Sequence, residues 1–291
     1  MHINFKRTQL AGAIAAASLM IPATAFAVTT INSGAGDNRI RGTVGNDVIN
    51  GNGGNDRIHA LAGDDQVNGG TGNDSVFGNA GNDVIAGVQG NDWLNGGAGD
   101  DMVTGDANNT GDRTSFDRIF GASGNDTLRG GDSADRVYGG TGDDKSYGEN
   151  GHDRMAGGSG DDLQEGGAGN DTIFANRGVD VSSGGGGDDV LWALARVDVR
   201  PGPGGATDTV ADTLDGGDGN DVLRTRDGEA DKITCGPGVD RALLDGVDVI
   251  TDATAENPTG SCETVVRKAP KANESRSEER EEQPAAEKVS S

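Results

Sequence analysis

Residues 36–58 read GDNRIRGTVGNDVINGNGGNDRI, and they contain the unit from which most of the chain is built. A glycine recurs every nine residues, an Asn or Asp follows two positions later, and an aliphatic residue follows two positions after that. The unit is G-x-x-G-[ND]-D-x-U-x, where U is aliphatic, and it stays in register through residues 33–105. A strict short period of this kind indicates a repeat architecture.

Each unit predicts one short strand and one turn. The tripeptide x-U-x turns a single aliphatic side chain to one face of a strand, and G-x-x-G-[ND]-D is typical of turns. Two units then make one coil of 18 residues, so alternate U residues share a sheet. We expect one sheet to contain Ile40, Ile58, Val76 and Leu94, and the other to contain Ile49, Val67, Ile85 and Val103.

The same stacking places acidic turn residues 18 positions apart above one another. Carboxylates at such a short distance repel one another unless a cation lies between them. Paired carboxylates and turn carbonyls supply the six to eight oxygen ligands typical of Ca²⁺, whereas softer metals prefer the His and Cys that these turns lack. The predicted metal ligands of this first array are Asn38, Asp47, Asp56, Asp65, Asp74, Asp83, Asp92 and Asp101.

The runs Gly45-Asn46-Asp47-Val48-Ile49 and Gly54-Asn55-Asp56-Arg57-Ile58 resemble the calcium-binding nonapeptide of the haemolysin-type, repeats-in-toxin family. The resemblance covers roughly two thirds of the chain after its first segment, by the repeat count. It implies an all-β, right-handed parallel β-roll, or β-helix solenoid, that holds several Ca²⁺ ions along both edges.

The remaining sequence predicts a series of segments around two repeat arrays. They are a secretory signal peptide (1–27), the first array (28–105), a seven-residue insertion with an irregular repeat (106–120), a second array (121–193), an irregular loop with the last repeats (194–226), a C-terminal cap (227–266) and a disordered tail (267–291). The signal pattern consists of Lys6 and Arg7, an apolar run, and a small-x-small site at residues 25–27. The apolar run is shorter than the about 20 residues of a membrane span.

The second array and the last repeats continue the acidic pattern with less regular U positions. Predicted metal ligands here are Asp126, Asp135, Asp144, Asp153, Asp162, Asp171, Asp180, Asp189 and Asp221. Three polar U residues, Ser146, Gln164 and Ser182, would fall on one sheet. Either they form an internal hydrogen-bonded row, or that sheet slips by one residue and turns Leu163 and Val181 inward.

The cap contains the only two cysteines, Cys235 and Cys262. Secretion favours a disulfide between them, with two free thiols as the alternative. The C-x-G-x-D and C-E-x-V pattern around them resembles the terminal cap of secreted actinobacterial calcium-binding repeat proteins. Such a cap would cover the exposed end of the roll.

Composition restricts the function classes. The chain has 291 residues, only 32% hydrophobic, with 52 glycines and a net charge of -24. This acidity argues against nucleic acid and anionic membranes as partners, and no segment after the signal is apolar enough to span a membrane. The three histidines are isolated, so no catalytic motif can be assembled and we expect no enzyme.

The sequence therefore predicts a secreted, extracellular calcium-binding protein with a structural or interaction role. Two alternatives stay open. One is an adhesin or matrix protein that binds extracellular polysaccharide or a cell-surface partner through outward residues such as Trp93 and Trp192. The other is a β-helix enzyme that modifies polysaccharide, since paired carboxylates serve glycosidase chemistry elsewhere.

Overall fold

The computed structural model describes residues 28–106, 115–193 and 211–268, and the regular structure within these ranges consists of β-strands. The predicted signal peptide and residues 269–291 of the predicted tail lie outside the described residues. The chain divides into two compact units at the boundary between Arg136 and Val137. Each unit is described by itself.

The first unit alternates its strands between two parallel sheets. Its strands are β1 (Thr29–Asn32), β2 (Arg39–Arg41), β3 (Asp47–Asn50), β4 (Arg57–Ala62), β5 (Gln66–Thr71), β6 (Ser75–Ala80), β7 (Val84–Gln89), β8 (Trp93–Ala98), β9 (Met102–Thr104), β10 (Arg118–Ser123) and β11 (Thr127–Asp132). Odd-numbered strands pair with one another in order, and so do even-numbered strands. We call these the odd sheet and the even sheet.

The predicted stacking of U residues is confirmed in this unit. Ile58 pairs with Val76 and Val76 with Leu94 in the even sheet, while Val67 pairs with Ile85 in the odd sheet. Their side chains are at most 3% exposed, because each inward residue covers the one in the next coil. The chain is thus an all-β parallel β-solenoid, as the nine-residue period predicts.

The second unit repeats this arrangement. Its strands are β12 (Arg136–Thr141), β13 (Lys145–Asn150), β14 (Arg154–Ser159), β15 (Leu163–Ala168), β16 (Thr172–Arg177), β17 (Val181–Gly186), β18 (Val190–Trp192), β19 (Thr213–Asp218), β20 (Val222–Thr225), β21 (Lys232–Thr234), β22 (Arg241–Leu244), β23 (Val249–Ile250) and β24 (Thr264–Arg267). Odd and even strands again occupy separate parallel sheets.

The register of the strands is kept on both sides of each insertion, while residues 107–114 and 194–210 of the two predicted loops lie outside the described residues. Ile119 pairs with Leu94, a separation of 25 residues, which is one coil plus the seven residues that the spacing predicts. In the second unit, Leu214 pairs with Ser182, a separation of 32. The U residue on each side of an insertion therefore keeps its place in the core.

The polar U residues form a buried row with a hydrogen bond between Ser182 and Gln164, and the alternative of a slipped sheet is wrong. Ser146, Gln164 and Ser182 are at most 1% exposed, while Val181 is 44% exposed. The Ser182 hydroxyl donates to Oε1 of Gln164 at 3.1 Å. A slip by one residue would bury Leu163 and Val181, but it would also move all the other side chains of those strands to the opposite face of the sheet.

The turns bring backbones so close that glycine is required. Gly81 has a φ of 127°, and a Cβ added there would collide with the carbonyl oxygen of Gly63 in the preceding coil. Only glycine adopts this conformation without strain and leaves that space free. The glycine of each repeat thus sets the distance between coils at the turn.

The predicted disulfide is confirmed. Cys235 and Cys262 are bonded, with their Cα atoms 5.2 Å apart, and both side chains are buried. The Ser261 hydroxyl accepts hydrogen bonds from the backbone N–H groups of Cys235 and Gly236. The covalent link holds the chain end against the last strands, where the core would otherwise be open.

Two substitutions in the polar row should change stability in opposite directions. The Ser146 hydroxyl is buried without a hydrogen-bond partner, so Ser146→Val should raise the free energy of unfolding by about 1 kcal/mol. Ser182→Val removes the donor to Gln164 and should lower that free energy by about 1–3 kcal/mol. Urea unfolding in saturating calcium measures both, and an equal effect of the two substitutions would contradict this difference in hydrogen bonding along the row.

Candidate metal centre

The aspartates that end each turn form a ladder between coils. In the first unit, the backbone N–H of Asp65 donates to Oδ1 of Asp83 at 2.8 Å, and the N–H of Asp74 donates in the same way to Asp92. Each aspartate therefore accepts a hydrogen bond from the backbone of the preceding coil, while its own N–H donates to the aspartate of the following one. We call this arrangement the inner ladder.

The ladder leaves one oxygen of most of these carboxylates without a partner. Among the described residues, Oδ2 is buried and lacks a hydrogen bond in Asp56, Asp65, Asp74, Asp83, Asp92 and Asp101. A buried carboxylate oxygen that has neither a hydrogen-bond donor nor a metal carries a large desolvation penalty. The geometry therefore requires a neutralising partner at each of these oxygens.

Burial shifts the acidity of these groups. It raises the pKa of Asp83 to about 7, and the neighbouring charges of Asp65 and Asp64 contribute to the increase. Burial also raises the pKa of Asp92 to about 8, with smaller contributions from Asp117, Asp74 and Asp106. The hydrogen bond that each carboxylate accepts from a backbone N–H lowers its pKa, but the increase caused by burial is larger.

The predicted ligands of the first unit lie in two stacks, one on each edge. One stack contains Asp47, Asp65, Asp83, Asp101 and Asp126, and the other contains Asn38, Asp56, Asp74, Asp92 and Asp135. Asn38 differs from the rest, because its amide donates to the carbonyls of Gly34 and Gly36 within its own turn. Asp47 also differs, because Thr43 donates to both of its carboxylate oxygens.

The second unit contains the same two stacks. Asp144, Asp162 and Asp180 form one of them, and Asp153, Asp171, Asp189 and Asp221 form the other. Oδ2 of Asp162, Asp171, Asp189 and Asp221 is buried without a hydrogen bond. Every aspartate that the sequence predicts as a ligand is therefore a member of the inner ladder.

Several ladder members were missing from the predicted ligands. They are Asp117 in the first unit and Asp212, Asp231, Asp240, Asp248 and Glu263 in the second. Their separation from a neighbouring member of the stack differs from 18 residues, so the regular period did not identify them. Each of them directly precedes an x-U-x strand, and that pattern was the available signal. Glu263 accepts the N–H of Asp240 at 2.7 Å, so the glutamate beside Cys262 ends its stack.

A second, outer ladder was also missed. Where an Asn or Asp precedes a ladder aspartate, its side chain can accept the backbone N–H one coil later, as Asn55 does for Asn73 and Asn73 for Asn91. In the second unit His152 takes this role and accepts the N–H of Asn170 at 2.7 Å. The recurrence of Asn or Asp just before the ladder aspartate was the available signal.

The donor set fits a hard cation. The aspartates of the inner ladder offer carboxylate oxygens, and carbonyl oxygens of the turns lie beside them. Oδ2 of Asp83 and the carbonyl oxygen of Gly96 are so close to Gly78 that a Cβ added to this glycine would collide with both. Oxygen-only sites of this charge suit Ca²⁺, which would supply the positive charge that the buried carboxylates lack. The fold and these ladders define a calcium-binding parallel β-solenoid.

The chain belongs to the RTX calcium-binding nonapeptide repeat family. The family model matches residues 32–67, 59–91, 77–110, 114–145, 147–164, 165–191 and 208–229, which together make up more than half of the chain. Membership implies calcium binding, in agreement with the aspartate ladders. A search of curated proteins found no significant match. In the described part of the chain, no helix is long and apolar enough to cross a membrane.

Calcium affinity should fall at acid pH. The folded turns hold protons more tightly than the unfolded chain, because the pKa of Asp83 rises from 3.8 to about 7. The metal-free fold therefore gains stability as the pH falls toward 4, while protons increasingly compete with calcium. The calcium concentration at half-saturation should rise at least about tenfold from pH 7.5 to 5.5.

Isothermal titration at constant ionic strength tests this, because salt screening then stays equal at every pH. A half-saturation point that does not change with pH would contradict the assignment of the buried carboxylates as ligands.

Proposed function

We propose that this protein is a secreted, non-catalytic scaffold whose β-solenoid folds when it binds Ca²⁺ outside the cell. The observation that carries the proposal is the inner ladder, in which buried carboxylate oxygens have no hydrogen-bond donor among the described residues. A metal-free chain would have to bury these charges uncompensated, or protonate them. Both costs oppose folding at neutral pH.

The apolar core is too thin to offset this cost. Each coil buries only a few aliphatic side chains, while ordering the backbone costs roughly 1–2 kcal/mol per residue. The net charge of -24 adds long-range repulsion to the compact state. Bound calcium removes the penalty of the buried charges and reduces the repulsion, so binding and folding should be one process.

Location outside the cytosol is supported by two features of the chain. The disulfide between Cys235 and Cys262 favours an oxidising compartment, and the pattern of residues 1–27 favours export through an N-terminal signal. In the low-calcium cytosol the chain would stay unfolded and ready for export. It would then fold in the higher calcium outside.

A non-catalytic role is supported by the contacts of the two histidines outside the predicted signal. His59 stacks on Phe77 with ring centroids 4.7 Å apart and accepts a hydrogen bond from Arg57. His152 accepts the backbone N–H of Asn170. Both imidazoles therefore have structural partners. The alternative of a polysaccharide-modifying enzyme predicts turnover of at least one polymer in a broad uronate panel.

Circular dichroism of the protein without residues 1–27 tests coupled folding. We expect little strand signal in chelator, a cooperative rise on addition of Ca²⁺, and a weaker response to Mg²⁺, which demands a smaller octahedral site. The control is the chelated protein in sodium chloride of equal ionic strength, which separates specific binding from screening. A complete strand signal in chelator at neutral pH would overturn the proposal.

A further inference from the structure

The outward face of the even sheet in the first unit is basic, although the protein is strongly acidic. The residues flanking each U position on this face are Arg39, Arg41, Arg57, His59, Ser75, Phe77, Trp93, Asn95, Arg118 and Phe120. They are followed by Arg136, which is the first residue of β12 and the last residue of the first unit. None of them is acidic. We call Arg39, Arg41, Arg57, Arg118 and Arg136 the arginine face.

The arginines are held beside one another in two groups. Arg39 and Arg57 are direct partners on β2 and β4, and adjacent strands are about 4.8 Å apart. The guanidinium groups of Arg118 and Arg136 both lie over the ring of Phe116, at 4.9 and 5.3 Å from its centroid. Placing like charges this close costs free energy unless an anion joins them.

The chain provides no such anion in the described residues. Aromatic rings contact the guanidinium groups of Arg57, Arg118 and Arg136, and Arg57 also donates a hydrogen bond to His59. Within the described residues, none of the five arginines forms an ion pair with a carboxylate. Acidic residues outnumber basic ones by 48 to 24, so partners are not scarce. Among the described residues, most aspartates lie in the turns, and none lies on this face.

The local field agrees with the positive character of the face. The pKa of His59 is lowered from its ordinary value, first by burial and then by the charges of Arg57 and Arg41. Arg39, Arg41, Arg57 and Arg136 are exposed, so their guanidinium groups are open to a partner from solvent.

The aromatic side chains of this face stack on each other. The rings of His59 and Phe77 are 4.7 Å apart and 6° from parallel, and those of Trp93 and Phe120 are 4.9 Å apart. Neighbouring rings therefore cover much of the faces that a sugar ring or a nucleic-acid base would stack on. Recognition would rest on the guanidinium groups, with the rings as their support.

We propose that the arginine face binds an acidic polysaccharide. A linear chain lying across the strands would pair its carboxylate or sulfate groups with Arg39 and Arg57 at one end and with Arg118 and Arg136 at the other, three strand steps or about 14 Å away. Arginine forms two parallel hydrogen bonds to such groups, which favours them over neutral sugars. The covered ring faces disfavour nucleic acid, whose bases would have to stack on them.

This inference rests on the proposed function, because the face exists only when calcium has folded the solenoid. The test uses the full chain in calcium and compares dextran sulfate with uncharged dextran, which has the same backbone. We expect dextran sulfate to bind and dextran not to bind. Arg39→Gln with Arg57→Gln, and Arg118→Gln with Arg136→Gln, should each weaken dextran sulfate binding at least tenfold.

The matched control is Arg129→Gln, which removes an exposed arginine from β11 in the odd sheet. It should leave binding unchanged. Circular dichroism in calcium confirms that each variant is folded, and the single variant Arg41→Gln replaces any double variant that is not. It should weaken binding at least threefold.

Loss of binding with Arg129→Gln equal to that of the double variants would overturn the inference, as would unchanged binding in all folded variants. Tighter binding of a single-stranded oligonucleotide than of dextran sulfate would overturn it as well. Failure of the parent chain to fold in calcium would instead count against the proposed function, so the two failures are distinguishable.

Discussion

The rest of the structure depends on one type of hydrogen bond, which recurs from coil to coil. The backbone N–H of each turn aspartate donates to Oδ1 of the aspartate one coil later, as Asp65 does to Asp83. This bond aligns successive coils and buries the carboxylate at the same time, and in aspartates such as Asp65 and Asp83 Oδ2 is left without a donor. The alignment and the need for a cation thus have a common origin. A neutral side chain at this position would not create a need for a cation.

The ladder also explains how the solenoid tolerates irregular sequence. Across the insertion before β10, the N–H of Asp92 still donates to Asp117, 25 residues later, at the usual 2.8 Å. In the second unit Asp180 reaches Asp212 across 32 residues. Because the ladder and the U residue next to it both resume after each insertion, the length of the insertion matters little to the core. Glu263 and the disulfide end the stack at the cap.

The sequence predicted the fold, the sheet to which each U residue belongs and the stacks of regular aspartates, since these follow from a fixed period. It left open how the polar U residues pack, because Ser146, Gln164 and Ser182 fit either a buried row or a slip. It did not predict the outer ladder or the arginine face. Both depend on which side chains become neighbours only after coiling, as Arg39 and Arg57 do across 18 residues. Ladder members such as Asp212 were missed because the loops change their spacing.

Neutralisation of the buried Oδ2 atoms by cations is the central claim. A crystal structure of the calcium-bound protein, with anomalous difference maps recorded at long wavelength, tests it most directly. We expect anomalous peaks along both edges of the first unit, about 2.3–2.6 Å from the Oδ2 atoms of aspartates such as Asp65, Asp74 and Asp83. A folded solenoid in saturating calcium without peaks at these oxygens would contradict the claim.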